Sequence, residues 1–145
     1  MISVRAMLAG DVDEVVKIER QAFSRPWSRQ GFLDTLDLGN TFFLVAEEQG
    51  RILGYAGMYL TLEEGEITNV AVAPQERCRG VGGMLLDTLK REAERRKLVR
   101  LVLEVRVSNE SAIRLYERKG FLNRGVRKGF YDFPKEDAYI LIYGQ

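Results

Sequence analysis

The sequence predicts a single mixed α/β domain over residues 1–145. Its sheet starts antiparallel, carries one strand–helix–strand parallel crossover, and closes in a C-terminal β-hairpin. Three observations predict this. Apolar runs broken by tight turn signals fill residues 41–72. A helix-periodic stretch at 82–97 leads directly into an alternating run at 100–107, and a strand–helix–strand unit of this kind crosses right-handed. Two further short apolar runs, 121–130 and 138–143, flank a polar loop.

Taken in order, residues 2–6 form a short strand. Asp11 or Asp13 caps a helix running to about Phe23, with Val12, Val15, Val16, Ala22 and Phe23 near one face. Arg25-Pro26-Trp27-Ser28 breaks the chain, and Ser28 caps a second helix carrying Phe32, Leu33 and Leu36 until Gly39-Asn40. Strands at 41–46, 52–60 and 66–72 follow; their links are short, so they pair antiparallel. In the helix at 82–97, Leu85, Leu86, Leu89 and Ala93 face the core. Leu101, Leu103, Val105 and Val107 alternate with Val102, Glu104 and Arg106, so the two sets point to opposite faces of a strand. Ser108 or Asn109 caps the last helix, which Gly120 ends. The segment 131–137 is expected to be a loop.

Composition narrows the chemistry. Hydrophobic residues make up 46% and charged residues 30% of the 145, which suits one globular domain with one sizeable core. No stretch approaches the ~20 apolar residues of a membrane span, and Met-Ile-Ser-Val-Arg lacks the apolar core of a signal peptide. The single cysteine, Cys78, permits no internal disulfide. The absence of histidine removes the commonest general base and argues against a metal site. A cytoplasmic location without a membrane partner is the expectation. Charge is uneven: residues 1–66 hold six basic and eleven acidic residues, net −5, whereas residues 67–145 hold sixteen and ten, net +6. A basic second half suits an anionic cofactor, and an acidic first half suits a basic substrate; for most single charges an ordinary solvated surface explains as much.

The most informative stretch runs from Asn69 to Leu86. A strand ends at Val72, Pro74 stops it, and Arg77, Arg79 and three glycines lead into a helix. A helix start offers unpaired N–H groups and the positive end of the helix dipole, so the order reads as an anion cradle for phosphate. Gly80, Gly82 and Gly83 let a ligand approach the backbone. A Walker loop would need Lys and then Ser or Thr after its last glycine, but Met84 follows Gly83. A dinucleotide fingerprint fails at Leu85, and too little sequence surrounds the loop for that fold, although Glu104 lies near the ribose-acid spacing.

What remains, Arg77-x-x-Gly80-x-Gly82, resembles the pyrophosphate loop of the GCN5-related N-acetyltransferase (GNAT) superfamily. A second stretch, Leu103 to Phe121, resembles that superfamily's acetyl-CoA signature. More narrowly, Glu104-Val-Arg106 with Ser108-Asn109, Leu115-Tyr116 and Gly120-Phe121 resembles the ribosomal-protein alanine N-acetyltransferases, the RimI family. Ala22-Phe23, Pro26-Trp27-Ser28, Tyr131, Pro134 and Glu136-Asp137-Ala138 extend the likeness across nearly the whole chain. The resemblance implies acetyl-CoA as co-substrate, held between splayed strands near Val72 and Leu103. It implies that the backbone of Val70, Ala71 and Val72 pairs with the pantetheine arm and that Arg77, Cys78, Arg79, Gly80, Val81, Gly82 and Gly83 form the pyrophosphate loop. It implies a hydrogen bond from Asn109, which also reads as a helix cap. Relatives commonly have glycine at Cys78; if φ is positive there, the loop is strained. The implied partner is the N-terminus of a small-subunit ribosomal protein, with no direct nucleic-acid contact.

Acetyl transfer to an amine needs a proton acceptor for the amine, donors for the oxyanion and a proton for the thiolate. An α-amine, with a pKa of roughly 8, is an easier nucleophile than lysine near 10.4. Glu104 is the candidate base, directly or through a water; its structural alternative is a pair with Arg106. Tyr116 is the candidate acid; its alternative is a core tyrosine. Glu63, Glu64 and Glu66 are reserve bases that read more simply as a wet turn. Cys78 is a poor acyl carrier, being at the phosphate end of the coenzyme with no histidine to activate it. Trp27, Phe32 and Tyr131 are candidate substrate contacts. Other readings are acetylation of an internal lysine or a small amine, and a non-catalytic domain that binds acyl-CoA or RNA.

Overall fold

The structure, a computed structural model, describes residues 1–144. Seven strands are formed, β1 (Ser3–Ala6), β2 (Thr41–Glu48), β3 (Arg51–Leu60), β4 (Glu64–Val72), β5 (Arg100–Arg106), β6 (Leu122–Asp132) and β7 (Lys135–Gly144). Four α-helices accompany them, α1 (Val12–Ala22), α2 (Arg29–Leu36), α3 (Val81–Arg95) and α4 (Glu110–Arg118). The strands make one sheet in the order β1-β2-β3-β4-β5-β7-β6. Only β4–β5 is parallel, with α3 as its crossover; the other neighbours are antiparallel.

The expected elements are present, and their ends shift for identifiable reasons. Gln49 and Gly50 both have positive φ, 52° and 78°, which lets a two-residue turn close β2–β3 and lengthens both strands. The segment 131–137 is not a loop. Tyr131 pairs with Glu136 and Asp132 with Lys135, leaving only Phe133-Pro134 as the turn. Asp11 precedes α1, but its carboxylate turns back to accept from Leu8 N (2.8 Å) and from Arg5 (2.8 and 2.9 Å). Ser28 caps α2 as expected, its Oγ accepting from Gly31 N at 3.0 Å.

Each face of the sheet is covered by its own core. One face packs Leu85, Leu86 and Leu89 of α3 and Tyr116 of α4 onto Met58, Ile67, Leu101, Leu103 and Val105. The other packs Val12, Val15, Val16 and Ile18 of α1 and Phe32 of α2 onto Phe43, Val45, Tyr55 and Ala71. Two irregularities in β4 position the site. First, its register against β3 slips between Gly57↔Asn69 and Met58↔Ile67, so Thr68 is bulged out. Ile67 therefore stays on the α3 face, while Asn69 lies with Gly57 on the α1 face. Second, β4 pairs with β5 only from Glu64↔Arg100 to Glu66↔Val102. Beyond that point the two strands part.

Candidate active site

The parting of β4 and β5 opens a cavity of about 530 Å³. Residues 67–70 of β4 and 103–106 of β5 form its walls; Tyr116 of α4, the segment 22–27 and the turn of the β6–β7 hairpin complete it. Glu104 and Tyr116 both line it, from opposite sides. Strand alternation sends Glu104 to the α1 face, away from the buried Leu103 and Val105, while Tyr116 belongs to the core under α3. Glu104 is not paired with Arg106. Its Oε2 accepts from Arg127 Nε at 3.1 Å, across the sheet from β6, and its side chain is 15% exposed. Tyr116 is 8% exposed and its ring packs edge-on to Phe121. Among the described residues its hydroxyl has no hydrogen-bond partner. Burial, and then the neighbouring Tyr131, push its pKa above the ordinary tyrosine value.

The glycine loop follows the C-terminal end of β4; of the expected coenzyme contacts Val70 and Asn109 line the cavity, while Ala71, Val72 and residues 77–83 do not. Gly80 (φ 81°) is the N-cap of α3, and the first helical hydrogen bond runs from Met84 N to Gly80 O at 3.0 Å. The N–H groups of Val81, Gly82 and Gly83 therefore stand free at a helix start. Cys78 has φ 64°, so the side chain does stand where glycine is favoured. One expectation changes here. The Arg79 guanidinium is committed to Glu76 (2.7 Å) and to both oxygens of Glu48 (2.9 Å), so among the loop arginines only Arg77 is uncommitted. Gly82 and Gly83 are buried against α4: a Cβ on Gly82 would lie 2.9 Å from Leu115 Cδ2, and one on Gly83 3.2 Å from Lys119 Cε. The atoms met are the ends of two flexible side chains, and the backbone N–H groups are what these buried glycines can offer a ligand. Asn109 caps α4 through Oδ1, which accepts from Ala112 N at 3.3 Å, leaving its Nδ2 uncommitted.

The three expected substrate contacts separate. Trp27 and Tyr131 line the cavity. Phe32 does not: it is fully buried, ring against ring with Trp27 (5.1 Å) and Tyr55 (5.7 Å), and supports Trp27 from below. Of the lining residues outside the sequence-based set, Arg106, Glu19 and Asn69 bear most on the site. Arg106 organises the hairpin, donating to the carbonyls of Pro134 (2.8 Å) and Phe133 (2.9 Å) and to Glu136 (3.1 Å), and stacking on Tyr131 at 4.2 Å. Glu19 is 2% exposed and accepts from Trp27 N (2.9 Å), Asn69 Nδ2 (3.3 Å) and the Tyr55 hydroxyl. Asn69 is 3% exposed. Glu19 left a signal: in α1 the positions 12, 15, 16 and 19 share one face, so a carboxylate at 19 is a charge in a core row. Asn69 left none, since the bulge that turns it is not visible in the strand's alternation.

The profile of the acetyltransferase (GNAT) family matches residues 12–121. The ribosomal protein bS18-alanine N-acetyltransferase of Salmonella typhimurium is 35% identical over 144 residues, covering 97% of this chain and 96% of its own. An N-alpha-acetyltransferase of Sulfurisphaera tokodaii is 32% identical over 144 residues, covering 90% of this chain and 86% of its own. The crystal structure of the ribosomal-protein-S18-alanine N-acetyltransferase from Escherichia coli superposes with a TM-score of 0.90 at 31% identity, covering 99% of this chain and 93% of that one.

Proposed function

The chain belongs to the acetyltransferase (GNAT) family, and from that premise we propose that it moves an acetyl group from acetyl-CoA directly to the α-amine of an N-terminal alanine on a small-subunit ribosomal protein. The observation that carries this reading is the opening between β4 and β5, with a carboxylate entering from one face and a phenol from the other. An acyl transfer needs a proton acceptor for the attacking amine and a proton donor for the departing sulfur, and this opening holds one candidate for each.

Acetyl-CoA is held, in this reading, at two places. Its pyrophosphate lies on the free N–H groups of 81–83 with Arg77 beside them, and the backbone of the loop at Cys78, Arg79 and Gly80 wraps it. Its pantetheine arm pairs with Val70, Ala71 and Val72, whose β5-facing edge has no strand partner beyond Glu66. Asn109 Nδ2 donates to a coenzyme carbonyl. The amine nitrogen attacks the thioester carbon, forming the C–N bond. Its proton passes to Glu104, directly or through one water; Arg127 occupies Oε2 and leaves Oε1 for it. The tetrahedral oxyanion then collapses, the C–S bond breaks, and the departing sulfur takes the Tyr116 proton. Glu104 and Tyr116 exchange their proton through solvent before the next turnover. A phenol whose pKa burial has raised stays protonated at neutral pH and is available as an acid.

Trp27 and Tyr131 border the peptide end of the cavity, where Arg106 holds the hairpin shut against it. No helix among the described residues is long and apolar enough to cross a membrane, and a ribosomal substrate places the enzyme's work in the cytoplasm. The test is mass spectrometry after incubation with acetyl-CoA and two peptides, one with a free N-terminal alanine and no lysine, the other N-terminally blocked with an internal lysine. Acetylation of the first alone is the expected outcome, with Glu104→Gln lowering kcat by about 10²–10⁴-fold. Acetylation of the lysine peptide alone would move the acceptor assignment to side-chain amines.

A further inference from the structure

Two buried groups on the α1 face of the cavity have needs that the protein does not meet. Asn69 donates Nδ2 to Glu19 Oε1 at 3.3 Å, and a carboxylate can only accept, so the amide orientation is fixed and Oδ1 is turned the other way. Oδ1 is buried and has no hydrogen-bond partner among the described residues. An unsatisfied buried acceptor is disfavoured, and native structures rarely keep one without a reason. Glu19 behind it is 2% exposed and is met by three neutral donors, the Tyr55 hydroxyl, Trp27 N and Asn69 Nδ2. Among the described residues no lysine or arginine forms an ion pair with it. A buried carboxylate without a cation and an orphaned amide oxygen, side by side on one cavity wall, both lack the same thing: a positively charged N–H donor.

We propose that Asn69 Oδ1, backed by the Glu19 carboxylate, is the receiving site for the acceptor's terminal ammonium group. This assignment rests on the reading of the cavity as an acetyltransferase site. The side of the sheet supports it. The free helix start that suits the coenzyme belongs to α3, on the face where Ile67 is packed. The bulge at Thr68 turns Asn69 to the opposite face, the one that Glu104 also occupies. The contact also survives deprotonation, because a neutral primary amine keeps two N–H groups. Once the ammonium has given one proton to solvent, one of them on Oδ1 holds the nitrogen in place with its lone pair left for the carbonyl carbon, and Glu104 takes the second proton as the C–N bond forms. Glu19 acts through Asn69, as a positioning residue and a source of negative potential.

The experiment compares two peptides of identical sequence, one beginning with alanine and the other with a propanoyl group, which has the same carbon skeleton and no amine. The first is read as substrate (KM), the second as competitive inhibitor (Ki), with acetyl-CoA KM and thermal midpoint measured alongside. For Asn69→Leu we expect the amine peptide's KM to rise about tenfold or more, with the des-amino Ki and the acetyl-CoA KM within about twofold of wild type. Glu19→Gln keeps the shape and removes the charge, and we expect the same selectivity at a smaller size, about three- to tenfold. If Asn69→Leu fails to fold, Asn69→Ala is read in the same way. Equal weakening of both peptides would assign Asn69 a structural role, a change confined to acetyl-CoA would assign it to the coenzyme, and no change in either would leave the ammonium unrecognised there; each overturns the proposal. A wild-type protein that binds acetyl-CoA and acetylates no α-amine would instead overturn the acceptor reading itself.

Discussion

Cys78 shows how much one residue can differ from what its neighbours suggest. Its φ of 64° lies in the left-handed region, where a side chain is disfavoured by roughly 1–2 kcal/mol relative to glycine. Cys78→Gly is therefore expected to keep acetyl-CoA KM within about twofold, whereas Cys78→Val, with a β-branched side chain in the same conformation, should raise it several-fold. The thiol is exposed and is the chain's only one, so labelling reports on the loop directly: acetyl-CoA should slow alkylation of Cys78, and equal rates with and without it would remove the coenzyme from this loop. The legible residues in this region were those whose backbone matters, because glycines before a helix announce a helix start. Side-chain commitments were not legible. Nothing near Arg79 in sequence reveals Glu48, which arrives from the far end of β2, and nothing near Phe32 reveals that Trp27 lies over it.

Between elements, the site depends on contacts that span long stretches of chain. Arg106 ties β5 to the β6–β7 turn through a fork of donors that an ammonium cannot reproduce. Arg106→Lys is expected to raise the acceptor peptide's KM by about tenfold with acetyl-CoA KM unchanged, since the hairpin turn it holds lines the cavity where the acceptor is proposed to enter. On the other side of the cavity, Gly57 gives its space to Phe43: a Cβ there would lie 2.1–2.4 Å from three ring atoms. Gly57→Ala should destabilise the fold by about 3 kcal/mol, measured by denaturant unfolding, by displacing Phe43 and with it Trp27, 5.9 Å away. The elements themselves were readable from periodicity and capping; the hairpin turn at Phe133-Pro134 was not, because polar residues on an edge hairpin look like a loop until the ladder is seen.

For the molecule as a whole, the lack of histidine meets a set of shifted carboxyls and tyrosines. Arg5 holds Asp11 below the usual carboxylate range, the arginines beside Glu76 and Glu92 do the same for those groups, and Ser108 and then Arg106 do so for Glu136. A lowered folded-state pKa stabilises above the unfolded value, near pH 4, and that contribution is lost as pH falls through the folded one. Burial raises Tyr55, Tyr116 and Tyr131, so their contribution is complete below about pH 10 and is lost as pH rises further. With no imidazole between these limits, the thermal midpoint should be flat from about pH 5 to 9 and fall on both sides; a step near pH 6.5 would contradict this. Topology was legible at this scale because β-runs, crossover and closing hairpin occur in chain order. The facing of Asn69 was not, since a one-residue bulge reverses a strand's facing without altering its composition.

The gap between β4 and β5 has a consequence for the protein's persistence as well as for its chemistry. From Glu66 onward the sheet lacks a rung, and whatever pairs with β4 there completes a hydrogen-bonded seam that the unfolded chain does not have. A small molecule that serves as a missing strand is a structural component with a concentration. At about a hundred times its dissociation constant it would add roughly 2.7 kcal/mol to the folded state. Hydrogen exchange along β4 should slow, and the melting point should climb, in step with acetyl-CoA. The enzyme's half-life would then track the nutrient state that sets the supply of its own donor.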